Sequence, residues 1–268
     1  MSPTLSMQPE LYIVKIGGNI IDDEESLNDF LEKFSNLPAG KILVHGGGKL
    51  ATRLADKLGI EQKLIDGRRI TDAETLKVVT MVYAGYINKN IVARLQANNC
   101  NAIGLCGADA DVVLAHKRKH PVLDYGFVGD VDAVNAGFIH TLIAQNITPV
   151  FAPVTHDQQG QLLNTNADTI AQELAKAMSS RYRVSLVYSF EKSGVLLDAE
   201  DDDTVIPVLN ADLYRDLKSK KKIFAGMLPK LDNAFAALHN GVHKVIIGRA
   251  QELPGLLEGT AGTTIVNE

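Results

Sequence analysis

Apolar positions along the chain fall into two alternating kinds of run. Leu11–Ile16, Lys41–Val44, Ala102–Leu105, Asp111–Ala115, Thr148–Ala152, Val184–Tyr188 and Val242–Ile247 are short and rich in β-branched residues, the signature of strands. The segments between them keep a helical period instead. Over Lys49–Leu58, Leu50, Leu54 and Leu58 share one face, and Gly59 follows as a natural terminator. Thr71-Asp72-Ala73-Glu74 has the form of a capping box opening a long helix, in which Leu76, Val79, Tyr83, Tyr86 and Ile87 hold the period. A third helix is predicted from near Asn166, with Ile170, Leu174 and Met178 inward. A fourth is predicted from near Pro229, with Leu231, Phe235 and Leu238, closing before Gly241. Strand–helix alternation over the whole length predicts an α/β fold with a mostly parallel sheet covered on both faces. The polar stretch Ser179-Ser180-Arg181 suggests a division into residues 1–180 and 181–268.

Composition narrows the function. Aromatics are 6% of the 268 residues and Trp is absent, which argues against a base-stacking surface for single-stranded nucleic acid. A net charge of −5 means that any anionic ligand needs a local cationic pocket. Cys100 and Cys106 form no CxxC pair, and the N-terminal residues have neither the basic start nor the apolar stretch of a signal peptide. A cytoplasmic protein is expected, without nucleic-acid or membrane partners.

Two glycine clusters follow the first two predicted strands: Lys15-Ile16-Gly17-Gly18-Asn19 and His45-Gly46-Gly47-Gly48-Lys49. Tandem glycines past a strand expose backbone N–H groups, and a following helix N-terminus adds positive potential, a combination suited to phosphate. A Walker loop is excluded, because Leu43 and Leu50 stand where Gly and Ser or Thr are required. Gly46-x-Gly48-x-x-Ala51, with Asp66 downstream, fits a dinucleotide fingerprint and keeps a nicotinamide dehydrogenase as an alternative. In Leu163-Asn164-Thr165-Asn166-Ala167-Asp168 one polar residue suffices as a helix cap, leaving the others free for a ligand. Lys230, in the first turn of the fourth helix, opposes the helix dipole and therefore either points into solvent or meets an anion. Arg68-Arg69 offers a guanidinium fork for a carboxylate. His116 and His120 lack a further zinc ligand, and the acidic run 198–203 lacks the spacing of a calcium loop.

In order, VKIGGN (14–19), HGGG (45–48), GRRIT (67–71), GFVGDVDAVN (126–135), LNTNAD (163–168) and GMLPK (226–230) resemble the amino-acid kinase family, and within it the N-acetylglutamate kinases. The resemblance spans nearly the whole chain, down to a closing strand at 262–266. It implies an open three-layer αβα sandwich, with an acyl-glutamate lobe over 1–180 and an ATP lobe over 181–268. It also implies ATP-dependent phosphorylation of the γ-carboxylate of an N-acylglutamate, N-acetyl or N-succinyl, in arginine biosynthesis, with Mg²⁺ carried by the nucleotide. Lys15 and Lys230 would be the catalytic lysines, oriented by Asp168. Gly17, Gly18, Gly46 and Gly47 would offer N–H groups to phosphates and acceptor, with Gly47, Lys15 and Lys230 at the nucleotide. Arg69, Asn164 and Asn166 would hold the acceptor, and the spare Arg68 is a possible source of charge for a succinyl carboxylate. Other amino-acid kinase acceptors and a non-catalytic ligand sensor are the remaining alternatives. One departure concerns Ser189-Phe190-Glu191-Lys192, where relatives usually carry Asp after the Ser or Thr; Glu191 or Lys192 is expected to substitute in nucleotide contacts. Only about ten residues precede the first strand, so the N-terminal helix of arginine-inhibited hexameric relatives has no room, and an arginine-insensitive homodimer is expected.

Overall fold

Leu11-Tyr12-Ile13-Val14-Lys15-Ile16 is apolar on both sides of the pleat except at Lys15, and β1 (Glu10–Ile16) accordingly runs through the interior of the main sheet. A computed structural model describes residues 8–38, 40–65, 68–198, 201–220, 222–223 and 227–267. Asp66, Gly67 and Gly226 of the motifs, and the side chain of Arg68, lie outside the described residues.

After β1 come α1 (Gly18–Asp22), α2 (Glu24–Ser35), β2 (Gly40–His45), α3 (Gly48–Lys57), β3 (Lys63–Ile65) and β4 (Arg68–Ile70). A long helical stretch follows: α4 (Ala73–Thr80), a π-helical segment Met81–Ile87, and α5 (Asn88–Ala97). The middle of the chain holds β5 (Ala102–Leu105), β6 (Val113–Lys117), β7 (Gly129–Val134), α6 (Ala136–Ala144), β8 (Thr148–Phe151), β9 (Val154–His156), β10 (Leu162–Asn164) and α7 (Ala167–Met178). The last part holds β11 (Arg183–Phe190), β12 (Val208–Leu209), α8 (Ala211–Ser219), α9 (Leu228–His239), β13 (Lys244–Arg249), α10 (Leu253–Glu258) and β14 (Thr263–Ile265).

Eight strands form one sheet in the order β12-β14-β13-β11-β1-β2-β8-β5, parallel throughout except for the β13–β14 pair. Leu11 and Ile13 of β1, with Leu186 and Tyr188 of β11, face a layer built from α6, α7, α8 and α9. Val14, Ile16 and Val187 face the opposite layer, from α2 to α5 with α10. The main sheet thus has helices on both faces, the expected α/β architecture. No helix among the described residues is long and apolar enough to cross a membrane.

Two features depart from the predicted pattern. A second, four-stranded sheet, β10-β9-β6-β7, and a hairpin β3–β4 sit apart from the parallel sheet. The strand expected at Asp111–Ala115 belongs to this second sheet and starts later, at Val113, because Asp109–Asp111 forms a 3₁₀ turn with Ala110 and Asp111 at positive φ. The expected capping box is also displaced. Asp72, not Thr71, caps α4, accepting from the Thr75 N–H at 2.8 Å. Thr71 is instead buried and bridges to Gly126, with its carbonyl accepting from Phe127 N–H at 2.7 Å.

Candidate active site

The register of the central strands decides where the glycine clusters emerge. Ile16 pairs with His45 of β2 on one side and Ser189 of β11 on the other, so both glycine loops leave the same edge of the sheet. Gly17 is the N-cap of α1 and Gly47 that of α3. Gly47 has φ +148°, and a Cβ there would overlap Ile87 and crowd the Tyr83 ring, so this position demands glycine. The others differ: Gly18 has open space around it, and a Cβ at Gly17 or Gly46 would meet only backbone at ordinary van der Waals distance. At these three positions the missing side chain leaves N–H groups approachable rather than relieving an internal clash.

Beneath the second loop, His45 is fully buried. Its Nδ1 lies 2.8 Å from the Gly46 carbonyl, and its Nε2 lies 3.2 Å from Asn88 Nδ2, which also donates to Val150 O at 3.0 Å. This pattern selects the neutral tautomer with the proton on Nδ1, where it can donate to the carbonyl. Burial pushes the imidazole pKa down to about 4; the hydrogen bond to Gly46 opposes this and the Lys89 charge adds to it.

Two clefts open at this edge and share Gly48. The first, of about 220 Å³, is lined by the Gly46–Gly48 loop, Arg69, Asn164 and Asn166. Arg69, on β4, directs one guanidinium nitrogen to Gly48 O at 3.0 Å and Thr52 Oγ1 at 2.9 Å, and the other to Gln62. Asn164 Nδ2 donates to Thr71 Oγ1 at 3.0 Å. The Asn166 carbonyl oxygen caps α7, accepting from the N–H groups of Asp168 at 2.8 Å and Thr169 at 3.2 Å. Its amide nitrogen is not used by that cap.

The second cleft, of about 510 Å³, is lined by Lys15, Gly17, Gly18, Asp168, Phe190 and Lys230, among others. Lys15 alternates with Leu11 and Ile13 and so faces the layer that holds α7 and α9. Its Nζ stands 2.8 Å from Asp168 Oδ1. The approach lies off the hydrogen-bonding direction, and that buried oxygen has no hydrogen-bond partner among the described residues. Lys230, in the first turn of α9, places Nζ 3.6 Å from the centroid of the Phe190 ring. Burial lowers its pKa and the Lys15 charge adds to this, while Asp168 and Glu191 partly restore it. The ammonium that opposes its own helix dipole is therefore turned into the cleft rather than into solvent.

The candidate site residues divide between the clefts: Gly46, Gly47, Arg69, Asn164 and Asn166 line the first, and Lys15, Gly17, Gly18, Asp168 and Lys230 the second. Sequence reasoning passed over Arg118, Tyr83 and the role of Phe190. Arg118 lines the first cleft and donates through Nε to both Asp130 oxygens, at 3.0 and 3.1 Å. In Lys117-Arg118-Lys119 nothing in the local sequence marks the middle residue as the inward one, since it follows the end of β6.

The arrangement suits transfer of a phosphoryl group: one cleft carries a guanidinium and amides for a carboxylate, its neighbour two ammonium groups and open glycine N–H groups for phosphates. Comparison with known proteins agrees. The chain is 57% identical over 260 residues to the acetylglutamate kinase of Cytophaga hutchinsonii, covering 96% of this chain and 98% of that protein. It is 56% identical over 247 residues to the acetylglutamate kinase of Phocaeicola vulgatus, covering 92% and 96%. Among solved structures, the smu.665 protein of Streptococcus mutans UA159 superposes with a TM-score of 0.77 at 26% identity, over 96% of this chain and 99% of that one. The family profile described as "Amino acid kinase family" matches residues 10–249, and the chain belongs to that family.

Proposed function

We propose that this protein transfers the γ-phosphoryl group of ATP to the γ-carboxylate of N-acetyl-L-glutamate, the second step of arginine biosynthesis. The observation that carries this reading is the adjacency of the two clefts at Gly48, with Lys15, Asp168 and Lys230 lining the second of them. The acceptor oxygen attacks phosphorus as the bond to the bridging β–γ oxygen breaks, leaving ADP and an acyl phosphate. A carboxylate with an ordinary pKa of about 4.3 is already ionised at neutral pH, so no general base is required. Charge repulsion is the obstacle: two unit charges at roughly 3.5 Å repel by about 5 kcal/mol at an effective dielectric near 20. Lys15 and Lys230 offset this as charge shifts to the leaving oxygen. Asp168 keeps Lys15 in place.

Arg69 and Asn164 hold the acceptor's α-carboxylate, with the Asn166 amide beside them, and Gly46 and Gly47 offer N–H groups. Gly17 and Gly18 serve the phosphates. Mg²⁺ carried on the nucleotide would shield phosphate charge in this cleft, where Asp168 and Glu191 are the carboxylates among the described lining residues. Residues 1–180 form the acceptor lobe and 181–268 the nucleotide lobe. A homodimer is supported by Met81 and Tyr86, 54% and 65% exposed on one helical stretch, and the cytoplasm is the setting of this biosynthetic step.

Arg118 favours a second reading, an acyl group carrying its own carboxylate as in N-succinylglutamate. Its charge is already answered by Asp130, so the acetyl substrate stands first. Steady-state kinetics with N-acetyl- and N-succinyl-glutamate side by side test both. Preference for the acetyl compound is expected; preference for the succinyl compound would move the assignment to the second reading, and turnover of neither would overturn both.

A further inference from the structure

We infer that Phe190 is a positioning residue for Lys230, holding its ammonium in the phosphate cleft without a direct ion pair to a carboxylate among the described residues. Lys230 Nζ lies 3.6 Å from the Phe190 ring centroid, while the ammonium of Lys15 stands 5.8 Å from the same ring. The ring is itself fixed: it alternates with Tyr188 on β11 and stacks on it, with centroids 6.2 Å apart and planes 11° from parallel. Tyr188 is nearly fully buried and in register with Lys15. Phe190 therefore forms a rigid aromatic floor under both lysines. Among the described residues, the Lys230 ammonium makes no hydrogen bond and no ion pair, so the ring is its close partner.

The chemistry of this partner differs from that of a carboxylate. Lys15 is paired with Asp168, which neutralises part of its charge. A carboxylate under Lys230 would do the same and would compete with the phosphates. The negative face of an aromatic ring attracts the ammonium weakly and offers no strong acceptor, so the N–H donors turned away from the ring stay available. Lys230 is thus kept from solvent, against its own helix dipole, and yet remains free to bind an incoming phosphoryl oxygen. Burial, which lowers the pKa of this ammonium, is consistent with that placement.

This inference rests on Lys230 being the phosphate-side cation of the proposed reaction. Replacing Phe190 by mono-, di- and trifluorinated phenylalanines withdraws charge from the ring face at nearly constant volume. A graded fall in kcat with each fluorine is expected, and Phe190→Leu should lower kcat about 3- to 30-fold while Phe190→Tyr stays within about twofold. In the nucleotide-free enzyme, the Lys230 ε-methylene proton resonance should be displaced upfield by the ring and return to an ordinary position in Phe190→Leu. A flat fluorination series, or a Lys230 resonance unaffected by Phe190→Leu, would overturn the inference. Lys230→Ala separates the two readings. Retained turnover in that variant sinks the assignment of Lys230 itself, whereas an inactive variant with a flat series sinks only the role of Phe190.

Discussion

Lys15 and Asp168 meet at 2.8 Å from elements separated by half the chain, one near the end of β1 and the other in the first turn of α7. The lysine side chain is 11% exposed and the aspartate 31%, so the pair is shielded on one side and open to the cleft on the other. Lys15→Met and Lys230→Met should each lower turnover with N-acetylglutamate by about a hundredfold or more, the scale of losing one oriented charge at a developing oxyanion. Affinity for the acceptor should change far less. Asp168→Asn should lower turnover by less than Lys15→Met, because it disturbs the lysine without removing it. A coupled assay of ADP release measures all three, and unchanged turnover in either lysine variant would exclude that lysine from the reaction.

Gly47 and Gly18 should respond oppositely to the same substitution. Gly47→Ala forces a side chain into φ +148° and against Ile87, and is expected to cost ~1–3 kcal/mol of stability. Gly18→Ala meets open space and should leave stability within about 0.5 kcal/mol of the parent. It should nevertheless raise KM for ATP, since the methyl group occupies the approach to the phosphates. Urea melts and kinetics on the two variants make the comparison.

Stability should fall as the solution is acidified through the range set by His45. An unfolded histidine titrates near 6.5 and the buried one near 4. Between these values the unfolded chain takes up a proton that the folded chain refuses, so acidification favours unfolding, by up to ~3 kcal/mol at the lower end. His45→Gln removes this difference and should flatten the slope of stability against pH over that window, whatever its effect on the absolute level. Parallel slopes for parent and variant would contradict the buried neutral imidazole.

Lys230 should set an alkaline limit on activity. In the proposed reaction its protonated form offsets the repulsion, and burial places its pKa below the ordinary lysine value. The pH profile of kcat/KM should therefore decline on the alkaline side with a midpoint below that of a free lysine. Lys230→Arg should move this decline to higher pH even where it lowers the plateau.

Asn166 caps α7 and, in the proposed reaction, also serves the acceptor, two tasks that substitution can separate. Asn166→Ala should cost ~1 kcal/mol by removing the cap of α7. Asn166→Ser restores an acceptor for the Asp168 and Thr169 N–H groups and should recover that stability. It supplies no amide to the acceptor cleft, so KM for N-acetylglutamate should stay raised. Full kinetic recovery with serine would reduce Asn166 to a helix cap.

The sheet was legible where strands are buried on both faces. Leu11–Ile16, Lys41–Val44 and Val184–Tyr188 read as continuous apolar runs because helices cover both sides of the parallel sheet. Gly129-Asp130-Val131-Asp132 of β7 is not such a run, and β9, β10 and β12 are two or three residues long, too short for a period. Among site residues, Lys15 stands out as the charged position in an apolar strand, and Lys230 as a cation at the wrong end of a helix. Thr71 and Asp72 are both good caps by type. Only the tertiary bridge to Gly126, invisible in local sequence, takes Thr71 away from the helix. Arg118 is hidden for the same reason, since its inward turn depends on Asp130, twelve residues later on a neighbouring strand.

The π-helical segment Met81–Ile87 shapes the first cleft through its helical register as well as through a side chain. Its i→i+5 bonding accommodates an additional residue within the long helix. Tyr83, within that segment, lines the cleft, and Ile87, at its end, packs against Gly47. Deleting one residue there would let the backbone return to ordinary α-helical bonding while rotating the following side chains by about 100°. A helix can thus be shortened by one position, stay fully hydrogen-bonded, and still lose the wall of the pocket beside it. KM for the acceptor, not the melting temperature, is where such a deletion would register.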